Sequence, residues 1–481
     1  MAEKPRNVII LCPDEQRGDA AGFMGNPDIK TPNMDRLAQR SAIFERHMTT
    51  FPKCVPARCS LMTGRYTHTD GWRSVSQALE PGQPELMSHL RERGYETAVF
   101  GKNHCWDEAN WDALDFSSDK PPMAHYMEGR RGVHEFPASE DGPQPMDLDP
   151  RWHYVGSNTR HMPDEAFTEQ TVDYLRERRD RSKPFFLQVN YESPHAVYGV
   201  EEPWYSMYDR DKIEAYPHDL PKNAPLPVTA QRKYRTGMED HEAEAREIQA
   251  VYYGMISKLD HLFGKVLDAV DAENLWEDTV ILFISDHGDY AGQYTLVEKY
   301  DTHFADCLMQ VPCTLYAPDL PAGRVSSLSD TADIAPTLCE LLGVEPLPHM
   351  HGESMVPLAR GEKRKDAVFA DGGHEKPMRD RFAAREKPTG DHGNALGKGQ
   401  TYWYEPDSMA RAKMVRTDRY KLVIRETGGN ELYDLETDPW EMDNRWGDPE
   451  LAAATAELMR KLVEWSLKTD PERPYLENFT V

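Results

Sequence analysis

The strongest constraint on this chain is a set of short apolar runs without alternation, four of which stop abruptly in charged and imidazole side chains. Residues 7–12 (NVIILC), 97–100 (TAVF), 185–190 (FFLQVN), 279–285 (TVILFIS) and 313–316 (CTLY) are near-continuously apolar. Strands buried on both faces read this way, because neither side chain direction meets water. Segments with helical spacing lie between them. Thr31-Pro32 opens one, with Met34, Leu37, Ala38 and Ala42 as its buried stripe. Residues 82–93, 164–179 and 239–270 read similarly. The alternation predicts an α/β fold with a large, mainly parallel central sheet flanked by helices.

Near the C-terminus the pattern changes to short strand-like pieces bounded by turn residues, at 413–415, 420–424 and 431–434, followed by a helix over 449–467. Residues 1–371 are expected to form the main domain and 372–481 a small α+β subdomain with an antiparallel sheet and a closing helix. Residues 117–149, rich in Pro, Gly and charge, read as a long excursion, and 372–400 as a second irregular stretch.

The polar residues just past the strand ends are chemically informative. The first run leads into Asp14-Glu15, the second into Lys102-Asn103-His104, the third into Glu192-Ser193-Pro194-His195, and the fourth into Asp286-His287. In open parallel sheets, ligands bind beyond the carboxyl ends of the strands. Asp14, Glu15, Asp286 and His287 together form a candidate divalent-cation set, carboxylates with one imidazole suiting Ca²⁺, Mg²⁺ or Mn²⁺. Singly, each acidic pair is an ordinary turn or helix cap. Pro56 suggests a helix starting just after Cys54, and Lys53 and Arg58 beside it favour an anionic species there. The other six cysteines read as buried structural thiols. His68, His89, His125, His153, His161 and His303 read as ordinary packed or surface histidines, with His303, four residues beyond Lys299, also a candidate for the site's mouth.

The ordered set of motifs resembles the type I sulfatases of the alkaline-phosphatase-like superfamily. Cys54-Val-Pro-Ala-Arg58 with Thr63-Gly64-Arg65 resembles their C-x-P-x-R signature. Thr31-Pro-Asn-Met-Asp-Arg-Leu-Ala38, Gly101-Lys-Asn-His104, Ser285-Asp-His-Gly288 with Lys299, and Leu432-Tyr-Asp-Leu-Glu-Thr-Asp-Pro439 occur in family order. The resemblance implies that a formylglycine-generating enzyme oxidises Cys54 to formylglycine, whose hydrate attacks the sulfur of a small sulfate ester. It implies one metal, Ca²⁺ first and Mn²⁺ or Mg²⁺ as alternatives, held by Asp14, Glu15, Asp286 and His287 with residue 54 against it. Arg58 and Lys102 would stabilise residue 54, His104 would take a proton from it, and His195 and Lys299 would grip the sulfate. Glu15 departs from the second Asp of many members. Phosphonate monoester and phosphodiester hydrolases of the same superfamily are the nearest alternative; they typically lack the Lys-x-His couple present here as Lys102 and His104. A non-catalytic anion-binding or scaffold descendant is the alternative of another class.

Composition narrows the setting. Lys and Arg number 56 against 82 Asp and Glu, a formal charge of −26, which argues against nucleic acid as a partner. No apolar run approaches the ~18 residues of a membrane helix. The opening MAEKPRN lacks a leader pattern, and the seven cysteines form no CxxC pair, so a reducing cytoplasm without disulfides is expected. Homo-oligomerisation is left open.

Overall fold

The computed structural model describes residues 6–118, 154–157, 163–239, 241–384 and 398–470. Its centre is a nine-stranded sheet. The main strands are β1 (Asn7–Asp14), β2 (Ala42–Met48), β3 (Glu96–Gly101), β4 (Phe185–Pro194), β5 (Thr279–Ile284), β6 (Cys313–Tyr316) and β7 (Gly323–Asp330). They lie in the order β7-β2-β6-β5-β1-β4-β3, with Phe116–Ser117 at the far edge and Gln310–Val311 paired to β2. The four neighbours β5, β1, β4 and β3 are mutually parallel, whereas β6 runs antiparallel to both strands beside it.

The apolar runs are unbroken because each face has its own core. Ile9 and Leu11 enter one buried cluster, and Val8, Ile10 and Cys12 enter another on the opposite side. The first cluster is covered by α1 (Pro32–Ala38) and by the 31-residue α3 (Glu242–Ala272), through Leu37, Ile248, Leu259 and Val266. The second is covered by α2 (Cys54–Thr63) and α4 (Ile334–Leu342), through Val55, Leu61 and Leu338. At about 25 cal/mol per Å² of apolar surface, burial on both faces gives these strands a large hydrophobic stabilisation.

Several sequence expectations change in detail. Ala42 opens β2 instead of closing the stripe of α1, since the helix ends at Ala38 and Gly323 N–H bonds the Ser41 carbonyl at the start of the new strand. Within 372–400, Lys376–Ala383 is helical; residues 385–397 lie outside the described residues, as do 119–153 of the expected excursion. The expected boundary at residue 371 falls inside β8 (Val368–Gly372), which begins a four-stranded antiparallel sheet with β9 (Ala412–Arg416), β10 (Tyr420–Arg425) and β11 (Glu431–Asp434).

This small sheet is closed by α5 (Ala452–Lys468). Trp465 of α5 stacks on Phe369 of β8 with ring centroids 5.1 Å apart and meets Tyr66 edge-on at 5.0 Å. Because Tyr66 comes just after α2, one buried indole joins the C-terminal sheet to the chain leaving α2. Replacing Trp465 with Ala should cost about 3–5 kcal/mol, read as a lowered urea midpoint; an unchanged midpoint would remove Trp465 from this role.

Candidate active site

Four adjacent parallel strands deliver their polar ends to one edge of the sheet. The tip of β1 supplies Asp14 and Glu15, β5 leads to Asp286 and His287, β3 to Lys102 and His104, and β4 to His195. Two backbone features set these exits. Gly101 holds φ at 106°, and a Cβ there would lie 2.0 Å from the Asn190 carbonyl oxygen of β4, so only glycine allows the turn into Lys102. Glu15 carries φ 74° without being glycine, a strained conformation of the kind that gathers at functional sites.

The acidic tips form a fixed frame. Asp286 Oδ1 accepts the backbone N–H of Glu15 at 3.0 Å and of His287 at 2.9 Å. Arg58 of α2 reaches Asp286 Oδ2 at 2.8 Å and Asp14 Oδ2 at 3.5 Å, and Lys102 Nζ lies 2.8 Å from Asp14 Oδ2. Burial alone would raise the Asp14 pKa, but the charges of Lys102 and Arg58 hold it well below the carboxylate range. Three buried carboxylates, Asp14, Glu15 and Asp286, thus face three buried cations, Arg58, Lys102 and Lys299.

The frame fits a divalent cation. His287 Nδ1 donates to the Gly288 carbonyl at 2.9 Å, which leaves Nε2 with a lone pair, 3.8 Å from both Asp14 Oδ1 and Asp286 Oδ1. That Nε2, Asp14 Oδ1 and Glu15 Oε1 are buried without a hydrogen-bond partner among the described residues. Ligand atoms of Asp14, Cys54 and His287 lie within 4.8 Å of one another, as do those of Asp14, Glu15 and His195. Buried acceptors that converge without a donor are costly unless a cation joins them.

Cys54 is the first residue of α2 and is buried at 2% exposure. His104 Nδ1 lies 3.1 Å from its Sγ. The expected cationic setting is present, but its source differs from the sequence reading: Lys53 is taken up by Asp301 and Arg58 by Asp286, while Lys299 and Lys102 act on Cys54. Burial and then Asp14 outweigh them and push the thiol up to about 11. Burial and then Lys102 keep His104 well below its ordinary value, so its imidazole is neutral at neutral pH.

Lys299 completes the ring. Its Nζ donates to Glu15 Oε2 at 2.8 Å and to His195 Nε2 at 2.6 Å, while His195 Nδ1 donates to its neighbour's carbonyl, that of Ala196, at 2.6 Å. Burial and Lys299 hold His195 neutral, while Glu15 and Glu298, outweighing burial, keep Lys299 charged. The His195 side chain is 21% exposed and is the most open of the group. Asp14, Glu15, Cys54, Arg58, Lys102, His104, His195, Asp286, His287 and Lys299 are therefore brought to this one edge. His303 is not part of it: its Nδ1 meets the Tyr290 hydroxyl at 2.8 Å inside an aromatic core. His68 packs against Asp371 and Trp465, His89 Nε2 meets the Glu345 carbonyl, and His125, His153 and His161 lie outside the described residues. Sequence reasoning missed Asp301, whose only signal was its place two residues beyond Lys299, and His374, which carried none.

The family model described as Sulfatase matches residues 6–344, and that described as N-sulphoglucosamine sulphohydrolase, C-terminal, matches 398–468. The multifunctional alkaline phosphatase superfamily protein PehA of Trinickia caryophylli is 27% identical, covering 96% of this chain and 95% of its own. A choline-sulfatase of Rhizobium meliloti is 25% identical, covering 96% and 87%. A solved phosphonate monoester hydrolase of Agrobacterium radiobacter superimposes with a TM-score of 0.76 at 24% identity, covering 97% of this chain and 96% of that one.

Cation binding to the frame is expected to raise thermal stability. Added at a hundredfold excess over its Kd to chelator-treated protein, Ca²⁺ or Mn²⁺ should stabilise by about 2.7 kcal/mol. Differential scanning of wild type and Asp14→Asn checks this; a variant that keeps the full upward shift would place the ion elsewhere.

Proposed function

The chain belongs to the sulfatase family, and on that premise we propose that it hydrolyses small sulfate esters at residue 54, with Cys54 converted to formylglycine. The observation that carries this reading is the Lys102–His104 couple beside Cys54, a couple that the phosphonate monoester hydrolases of the superfamily typically lack. With a divalent cation held by Asp14, Glu15, Asp286 and His287, and an aldehyde at position 54, the site would gain a Lewis acid and a hydratable carbonyl.

The chain's own side chains account for the other requirements. Lys299 is the charged donor at the open side, suited to hold the ester's anionic oxygens and to stabilise the departing alkoxide, while neutral His195, its one N–H on the Ala196 carbonyl, orients Lys299 through Nε2 and does not itself grip the ester. His104 is neutral and lies against residue 54, so it can accept a proton there. Arg58 and Lys102 fix the carboxylates and keep the centre from repelling an anion, local charges in a desolvated site outweighing the distant −26. The partners in this reading are a small sulfate ester and, during maturation, the enzyme that oxidises Cys54. Among the described residues, no helix is long and apolar enough to cross a membrane.

Phosphonate monoester hydrolysis is the second reading, favoured by the superposition on the Agrobacterium radiobacter phosphonate monoester hydrolase across nearly the whole chain. Both reactions spread negative charge over tetrahedral oxygens, so side activity is expected.

A panel of aryl, choline and sugar sulfates against phosphonate monoesters and phosphate diesters decides between them. Sulfate esters should show the highest kcat/KM; a phosphonate in first place would overturn the proposal in favour of the second reading. Intact mass should show the residue-54 peptide lighter by about 18 Da, the difference between thiol and aldehyde. Cys54→Ala should lower turnover by about 10⁴-fold or more with an unchanged melting temperature; retained turnover would remove residue 54 from the chemistry.

A further inference from the structure

Lys53 immediately precedes the residue on which the proposed chemistry depends. It is the cap residue of α2, and its carbonyl accepts the Ala57 N–H at 3.1 Å. Its ammonium is bound to Asp301 Oδ2 at 2.5 Å, and Asp301 is 1% exposed. The same oxygen receives His374 Nε2 at 3.2 Å. Because a carboxylate only accepts, His374 carries its proton on Nε2.

His374 lies just beyond β8, the strand that begins the C-terminal sheet. The backbone there is fitted closely to Asp301: Gly373 N–H donates to the Asp301 carbonyl at 3.1 Å, and a Cβ at Gly372 would stand 2.2 Å from that oxygen. Asp371 extends the contact to both flanks of α2. Its N–H donates to the Thr50 carbonyl at 3.2 Å, and its carboxylate accepts from Thr67 Oγ1 and from Arg73 Nη1, the latter at 2.8 Å. The end of β8 therefore holds the chain ahead of α2 and the chain after it. The Lys53 side chain is 13% exposed and its ammonium is held inward by Asp301, so releasing Asp301 would let the ammonium turn to solvent and draw the first turn of α2 with it.

We propose that the Asp371–His374 segment positions residue 54, acting through Asp301 and Lys53, and that His374 is a positioning residue of the active site. The proposal deepens the hydrolase reading and rests on it for its kinetic arm alone. Two variants test it: His374→Ala, which removes the N–H donor, and His374→Gln, which keeps one. On the best substrate of the wild type, His374→Ala should lower kcat about tenfold while leaving KM within about twofold, because displacement of a reacting group acts on the chemical step. His374→Gln should recover most of that loss.

The second arm needs no substrate. In protein carrying the unconverted thiol, alkylation of Cys54 by iodoacetamide, read by peptide mass against buried Cys59, should be about fivefold or more faster in His374→Ala and near wild type in His374→Gln. Asp301→Asn, which keeps the shape and removes the charge that holds Lys53, should act in the same direction. Unchanged alkylation in His374→Ala and Asp301→Asn overturns the proposal, as does a raised KM with kcat intact, which would make His374 a substrate-binding group. A wild type inactive on every ester overturns the hydrolase reading, while the alkylation arm still decides the positioning role.

Discussion

Arg58 is the interaction on which the site depends. One guanidinium, 1% exposed, ties the nucleophile helix to the tips of two neighbouring strands through Asp286 at 2.8 Å and Asp14 at 3.5 Å. It fixes where Cys54 stands, because both residues lie on the first turns of α2. With Lys102 it also keeps Asp14 ionised in the interior, where an unpaired carboxylate would be protonated instead. Its planar fork faces the two carboxylates with different nitrogens, Nε toward Asp286 and Nη2 toward Asp14. Remove it, and breaking such a buried pair costs about 3–5 kcal/mol at the place where the acidic tips must converge.

Much of this was legible in the sequence because the physics was local. Strands β1, β4 and β5 announced themselves through apolar runs, each enforced by two separate cores, and their polar ends identified the working edge. β2 was missed for the opposite reason: Glu45 and Arg46 interrupt it, and both are only half-buried, so its pattern resembles neither a buried strand nor a clean alternation. That β6 runs antiparallel is a property of chain path that no run of side chains encodes. His374 and Asp301 were invisible as a pair because they lie 73 residues apart and meet only once β8 is laid against the large domain. Lys53 was read as free positive charge beside Cys54; the fold spends that charge on Asp301.

Glu15 shows how a single extra methylene changes a site. Its carboxylate is divided: Oε2 takes Lys299 at 2.8 Å and lies 3.4 Å from His195, while Oε1 is buried without a hydrogen-bond partner among the described residues. One side chain thus touches the group that would grip the ester and also faces the cation frame. The strained backbone at φ 74° costs about 1–3 kcal/mol and persists only where surrounding structure enforces it, here through the Glu15 N–H on Asp286 and the Tyr252 hydroxyl on the Glu15 carbonyl at 2.6 Å.

The electrostatics also bear on what residue 54 has to be. A nucleophilic cysteine needs a thiolate, and reactive thiols have lowered pKa values. At Cys54 burial and Asp14 push the other way, to about 11, and the imidazole 3.1 Å distant is itself held neutral by burial and Lys102. A neutral thiol beside a neutral histidine, against a frame of hard carboxylate oxygens, is poorly matched both to attack and to metal ligation, since hard cations prefer oxygen ligands. The same surroundings suit an oxygen-bearing side chain: it would satisfy a hard cation, and a neutral His104 could accept its proton. Surroundings that make Cys54 a poor nucleophile as translated are in keeping with the proposed conversion to formylglycine.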